Sequence, residues 1–254
     1  MVKLGSEVFT SNGEMDTSVF SRVASQTGQL CRQGIAITVV TSFAIRLGGM
    51  WLKQNGLNSN LLPSALAGIG QVQLMHQWQL AYLKEGMGAG QVLISDSCLM
   101  HRAEWENTRD TIDNYHSKGH VAIINANDPV SWAESERYKA KTSDNDYLTA
   151  ELVSHIGVTD VLFLTKVAGV LADHPKSPNA RRYAQIDFDR PPIVYPHGSE
   201  DSHGGMEPKI RYAIECCDRG RRRVAITGLT EDVILRFARG ESIPTMIGPE
   251  NVLC

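Results

Sequence analysis

The stretch "ITVVTSFAIRLGG", residues 37–49, changes character part-way along. Ile37, Val39 and Val40 are apolar and β-branched, the composition of a buried strand. Ala44, Ile45 and Leu47 open a helix that runs towards a double glycine. Between the two, Thr41-Ser42-Phe43 has to turn the backbone. A strand passed through a short turn into a helix is the first half of a crossover between parallel strands. Phe43 is out of place in such a turn. It is either a plug in the core or a residue standing where a ligand approaches.

The same alternation continues along the chain. Strands are expected at residues 2–4, 35–40, 91–94, 121–125, 161–165 and 224–227. Helices are expected from Asp16-Thr17-Ser18 onward, from Ser64 to Lys84 with Leu66, Ile69, Val72 and Met75 on one side, at 147–156 and at 210–218. Residues 176–205 are richest in proline, glycine and charge, and are expected to form loops with a short β excursion at 192–195. Strands alternating with amphipathic helices predict the α/β class with a mostly parallel sheet.

Composition narrows the function classes. The chain has 254 residues, 42% apolar and 21% charged, with a formal net charge of −3. That is an ordinary soluble composition, without the basic surplus of a nucleic-acid binder. The densest basic run, "RGRRR" at 219–223, precedes the apolar Val224-Ala225-Ile226 and reads as cations at a helix C-terminus. Five cysteines in no regular framework suit a reducing compartment, so a cytoplasmic protein is expected. No stretch approaches the ~20 apolar residues of a membrane span, so no membrane partner is expected. Strand-like residues begin at Val2, so no signal peptide is expected.

In open α/β sheets ligands gather at the carboxyl ends of the strands. Here those ends carry Gly5-Ser6, Thr41-Ser42-Phe43, Asn125-Ala126-Asn127-Asp128, Thr165-Lys166 and Thr227-Gly228. Lys3 lies inside a short apolar strand and must reach solvent or an anion. Asn127-Asp128 before Pro129 forms a turn, or presents an amide and a carboxylate to a ligand ammonium. Asp144, Asn145 and Asp146 precede a helix; one acid suffices as a cap, and the second invites a role at a lysine or a metal. "SHGGMEPK", 202–209, is a glycine-rich turn opening a helix, a place where backbone amides cradle phosphate, with a lysine to add charge.

Taken in order, "VKLGSEVFT", "VVTSFAIRLG", "GIGQVQLMHQW", "GQVLISDSCL", "NTRDTID", "VAIINANDPV", "SDNDYLTAEL" and "HGGMEPKI" resemble the amino-acid kinase family, and within it the glutamate 5-kinase branch. The resemblance runs from residue 2 to about residue 240. It implies a three-layer α/β/α sandwich around a mostly parallel sheet. It also implies transfer of the ATP γ-phosphoryl group to the side-chain carboxylate of L-glutamate, the first step towards proline. Mg²⁺ would arrive on ATP, held by phosphate oxygens and water. By position, Lys3, Lys209 and Asp146 match the catalytic lysines and the acid between them. Ser42, Phe43, Asp128 and Asn145 fall at the glutamate-binding positions. Lys3, Gly5, Thr165, Lys166, His203, Gly204, Gly205, Met206 and Lys209 fall at nucleotide-binding positions. The resemblance further implies a homodimer or homotetramer. Residues 1–254 are expected to form one kinase domain, without the PUA domain that many relatives carry.

Five positions depart from the family pattern. Phe43 replaces a glycine, Lys166 an aspartate, His174 an aspartate, Pro208 a threonine, and Glu7 a small hydroxyl residue. They leave room for two alternatives: a kinase for another amino-acid substrate, or a weakened nucleotide-binding regulatory subunit.

Overall fold

The computed structural model describes residues 1–131, 144–173, 177, 180–194, 205–218 and 220–253. In chain order the elements begin with β1 (Val2–Leu4), a single 3-10 turn (Ser6–Phe9), the β2–β3 hairpin (Thr10–Ser11, Glu14–Met15) and α1 (Ser18–Arg32). Next come β4 (Thr38–Thr41), α2 (Ala44–Gln54), α3 (Pro63–Lys84), β5 (Ala89–Ile94), α4 (Asp96–Met100), α5 (Arg102–Ser117) and β6 (Val121–Ala126). Then follow α6 (Asn145–His155), β7 (Asp160–Thr165), β8 (Tyr183–Asp187), α7 (Met206–Cys217), β9 (Arg223–Gly228), α8 (Val233–Ala238), β10 (Met246–Gly248) and β11 (Val252–Leu253).

The chain divides into two compact units. One comprises Leu4–Asn145. Its β4 and β5 both pair in parallel with β6, in registers such as Val39 with Ile123 and Val92 with Ile124. All four residues of β4 and all six of β6 are buried, which is why both are mostly apolar, with Thr38, Thr41 and Asn125 as the polar exceptions. Helix α3 packs on α1 and α2, and α5 packs on β5 and β6.

The other unit comprises Met1–Lys3 and Asp146–Cys254. Here β7 and β9 are parallel, as are β8 and β10. Two pairings are antiparallel, β9 with β10 and β8 with β11. Helix α7 packs on β7, β9 and β10. In both units helices flank the strands, all parallel among β4, β5 and β6 and evenly divided between parallel and antiparallel in the pairings of β7 to β11. Parallel pairing with flanking helices is the architecture expected from the alternation along the chain.

An aromatic core fixes the end of β4. Phe9 stacks on Phe43 with ring centroids 5.3 Å apart, and Phe20 meets Trp78 edge-on at 4.8 Å. The Trp78 indole N–H donates to Thr41 Oγ1 at 3.3 Å. Tyr82 OH and Thr27 Oγ1, both buried, are 2.8 Å apart. Each buried polar tip therefore has a partner, as burial of an aromatic hydroxyl or indole requires.

Two expectations need correction. The buried face of α3 is Ala67, Gly70, Gln71, Leu74, Met75, Trp78, Ala81 and Tyr82, whereas Val72 is exposed. Apolar residues lie all round this helix, so the periodicity did not single out one face. Small residues decided it: a β-carbon on Gly48 would collide with the Leu66 carbonyl, and one on Gly70 with the Ala44 carbonyl. The excursion expected at 192–195 is also misplaced. Residues 192–194 form no strand, and residue 195 lies outside the described residues. Pro191-Pro192 cannot donate to a ladder, so the strand forms earlier, as β8.

Among the described residues of the basic run, Arg222 reaches a carbonyl of the last turn of α7, whereas Arg223 turns to β7. Arg222 donates to the carbonyls of Val158 and Cys216, and Arg223 pairs with Asp160.

Candidate active site

Lys3 sits at the middle of β1, Asp146 in the first turn of α6 and Lys209 in the first turn of α7. These three side chains meet. Asp146 Oδ1 pairs with Lys3 Nζ, and Lys209 Nζ donates to both carboxylate oxygens, at 3.1 and 2.9 Å. The exposures are 3%, 3% and 4% for Lys3, Asp146 and Lys209. Burial alone would push the Asp146 carboxyl up. The ammonium groups of Lys209 and Lys3 outweigh it and hold the group well below the usual carboxylate range. The acid is therefore ionised at any working pH, and it keeps two like charges together in a dry place. Two ammonium groups around one carboxylate carry a net positive charge, which suits an anion.

Pro208 is compatible with this geometry. It lies in the first turn of α7, where backbone N–H groups have no partner within the helix, so a missing one is tolerated. Gly205 is the N-cap of α7 and Met206 its first residue, both half-buried. His203, Gly204 and His174 lie outside the described residues.

A second cluster lies in the Leu4–Asn145 unit. Asn145 Nδ2 lies within hydrogen-bonding reach of Ser42 Oγ at 3.0 Å, Asn125 Oδ1 at 3.0 Å and the Thr41 carbonyl at 3.2 Å. Asn125 Nδ2 in turn donates to Gln71 Oε1 at 2.8 Å. Ser42 and Asn145 were expected from sequence. The link through Asn125 to Gln71 was not, although Asn125 stood in the polar rim after its strand. The missed signal is a lone glutamine on the buried face of α3, between Gly70 and Leu74.

Asp128 follows β6 and is half-buried. Desolvation pushes its carboxyl up to about 6. It is not a member of the amide chain. Phe43 is split between two roles. Its ring is 4% exposed and belongs to the aromatic core, while its backbone is left-handed, with φ 98° and ψ −10°. That conformation favours glycine, and Phe43 adopts it as the N-cap of α2.

At the expected nucleotide positions, Thr165 Oγ1 accepts from the Val167 N–H at 3.0 Å and closes the turn after β7. Lys166 beside it is exposed. Gly5 is buried, and the carboxylate of Glu7 is folded over it. A β-carbon at Gly5 would lie 2.5 Å from either Glu7 oxygen.

Residues 1–228 match the model of the amino acid kinase family. The chain belongs to that family. Among its relatives are glutamate 5-kinases from Psychrobacter arcticus (29% identical, covering 97% of this chain and 63% of the relative) and Burkholderia cenocepacia (32%, 97% and 67%). The Listeria monocytogenes glutamate 5-kinase is 28% identical, covering 99% of this chain and 93% of the relative. The chain thus spans somewhat under two thirds of the Psychrobacter enzyme. Solved kinases share the fold at low identity. The isopentenyl phosphate kinase of T. acidophilum superposes with a TM-score of 0.67 at 18% identity, over 97% of this chain and 98% of that one. Giardia lamblia carbamate kinase gives 0.65 at 14%, over 98% and 97%. The mostly parallel sheet flanked by helices is therefore the fold of amino-acid kinases. Membership makes a phosphotransferase of small molecules the coarse expectation.

Proposed function

We propose that this chain transfers the γ-phosphoryl group of ATP to the side-chain carboxylate of L-glutamate or a close analogue, giving ADP and an acyl phosphate. The observation that carries the reading is the buried Lys3–Asp146–Lys209 triad. Phosphoryl transfer through a loose transition state needs positioned positive charge more than acid–base chemistry. The two lysines supply that charge, and Asp146 fixes where they point. A carboxylate nucleophile is already ionised near neutral pH, so no general base is needed. MgATP is the co-substrate, with the cation carried on the phosphates.

The acceptor side is assigned to Ser42, Asn145 and Asp128. The Ser42 hydroxyl proton suits a carboxylate, Asn145 orients that hydroxyl through its own amide, and the Asp128 carboxylate suits an ammonium. Glutamate 5-kinase relatives along the whole chain support this substrate class. The test is ADP release in the presence of L-glutamate and MgATP, with Lys209→Ala as control. Turnover that vanishes in the control supports the reading. Wild-type protein no faster than the control, with glutamate and related amino acids alike, overturns it.

A second reading has its own observation. The Glu7 carboxylate lies over Gly5, where close approach by a phosphate was expected, and it opposes that charge. A nucleotide-binding protein with weakened catalysis is the alternative. Calorimetry with MgATP separates the two, since tight binding without turnover belongs to the second alone.

A further inference from the structure

The direction of the amide chain in the Leu4–Asn145 unit is fixed from one end. The Ala126 backbone N–H, which can only donate, lies 2.9 Å from Asn125 Oδ1. The Asn125 oxygen is thereby identified, and its amide nitrogen must face Gln71. Gln71 must then turn its oxygen to Asn125, at 2.8 Å. What remains is Gln71 Nε2, a two-proton donor with no partner among the described residues. Gln71 is 8% exposed. A buried donor left without an acceptor carries the full desolvation penalty, and such groups are rare in folded proteins. At the other end of the chain, Ser42 Oγ receives a hydrogen bond from Asn145, so its own proton is available to donate. At Gln71 and at Ser42 the network therefore presents a donor. At the Gln71 end an oxygen acceptor complements it; a second donor does not.

We propose that Gln71 is a specificity-determining residue whose Nε2 donates to a carboxylate oxygen of the acceptor amino acid. This rests on the kinase reading above and extends it to a residue on α3. A carboxylate is the strongest acceptor that an amino-acid substrate offers, and a charge-assisted bond best offsets the desolvated N–H. Gln71 also orients Asn125, so its test has to separate binding from scaffolding.

Two variants do so. Gln71→Glu keeps an acceptor for Asn125 Nδ2 and replaces only the donor, with a group that repels a carboxylate. Gln71→Met keeps the volume and removes both functions. If Gln71 binds the acceptor, KM for L-glutamate rises in the order wild type, Gln71→Met, Gln71→Glu. The last step should amount to about ten- to a hundredfold over wild type, with KM for ATP unchanged. A purely structural role gives the opposite order, with Gln71→Glu close to wild type and Gln71→Met impaired. That order overturns the proposal, as does a parallel rise in both KM values for Gln71→Glu. Calorimetric titration of L-glutamate into the same proteins keeps this test apart from the kinase reading. Binding without turnover sinks the kinase reading, while the order of Kd values still decides on Gln71. Absence of glutamate binding by the wild type overturns the Gln71 proposal outright.

Discussion

Replacing Phe43 separates a side chain from the backbone it is attached to. The ring is buried against Phe9, and the backbone holds φ 98°. Removing a buried phenyl ring costs about 3–5 kcal/mol. Holding a β-carbon in this left-handed region costs about 1–2 kcal/mol. Phe43→Ala loses the ring and keeps that strain, so it should be destabilised by about 3–5 kcal/mol. Phe43→Gly loses the same ring but sheds the strain, against an entropic cost of about 0.5–1 kcal/mol for glycine. The glycine variant should therefore be the more stable of the two by roughly 0.5–1 kcal/mol, the reverse of the usual ranking of alanine over glycine. In a chain of this size the difference is about 2 °C in Tm. Urea unfolding gives the comparison directly from the midpoints, provided the slopes match. An alanine variant as stable as the glycine variant, or more so, would refute the strained-turn account. Turnover per folded molecule on glutamate should be the same in Phe43→Gly as in wild type, because the ring lies in the core.

Four further outcomes are expected. Asp146→Asn leaves two buried lysines without their carboxylate, costing about 3–5 kcal/mol and abolishing turnover even where the protein still folds; full activity in that variant would remove the triad from the mechanism. Asp128 titrates near 6 through desolvation, so kcat/KM for glutamate should fall as pH drops through that value and be insensitive to pH there in Asp128→Asn. A carboxyl raised in the folded state lowers stability as pH rises from about 4 to about 6, so Asp128→Asn should also gain about 2 kcal/mol at neutral pH while losing glutamate affinity; calorimetric unfolding of both proteins at neutral pH checks the gain. Glu7→Ser removes a negative charge beside Gly5 and should lower KM for ATP by about fivefold, the effect of about 1 kcal/mol; an unchanged KM would mean that no phosphate approaches Gly5.

The strands were legible because they are buried on both faces and so write themselves as apolar runs; β6 and β7 were read to within one residue at each end. Helix α5 was not read, because Ile112 is its only fully buried residue and it carries no apolar stripe. Of the triad, Lys3 stood out as a lysine within an apolar strand, whereas Asp146 and Lys209 lie in polar stretches and were placed beside it only by the family resemblance. Gln71 did not stand out. A glutamine in a helix is unremarkable until its neighbours have taken its oxygen.

The contact of Gly48 and Gly70 with the backbone of the facing helix has a consequence for how this acceptor site can change. No side chain separates α2 from α3 at that point. Ser42 lies two residues before α2 begins, and Gln71 follows Gly70 directly. The spacing between those two donors is thus set by main chain resting on main chain, with no rotamer able to relax it and no methyl group able to be trimmed. Drift towards a longer or shorter acceptor cannot proceed by small steps at the seam, where any addition collides. It has to proceed through the donors themselves, or through the residues that aim them.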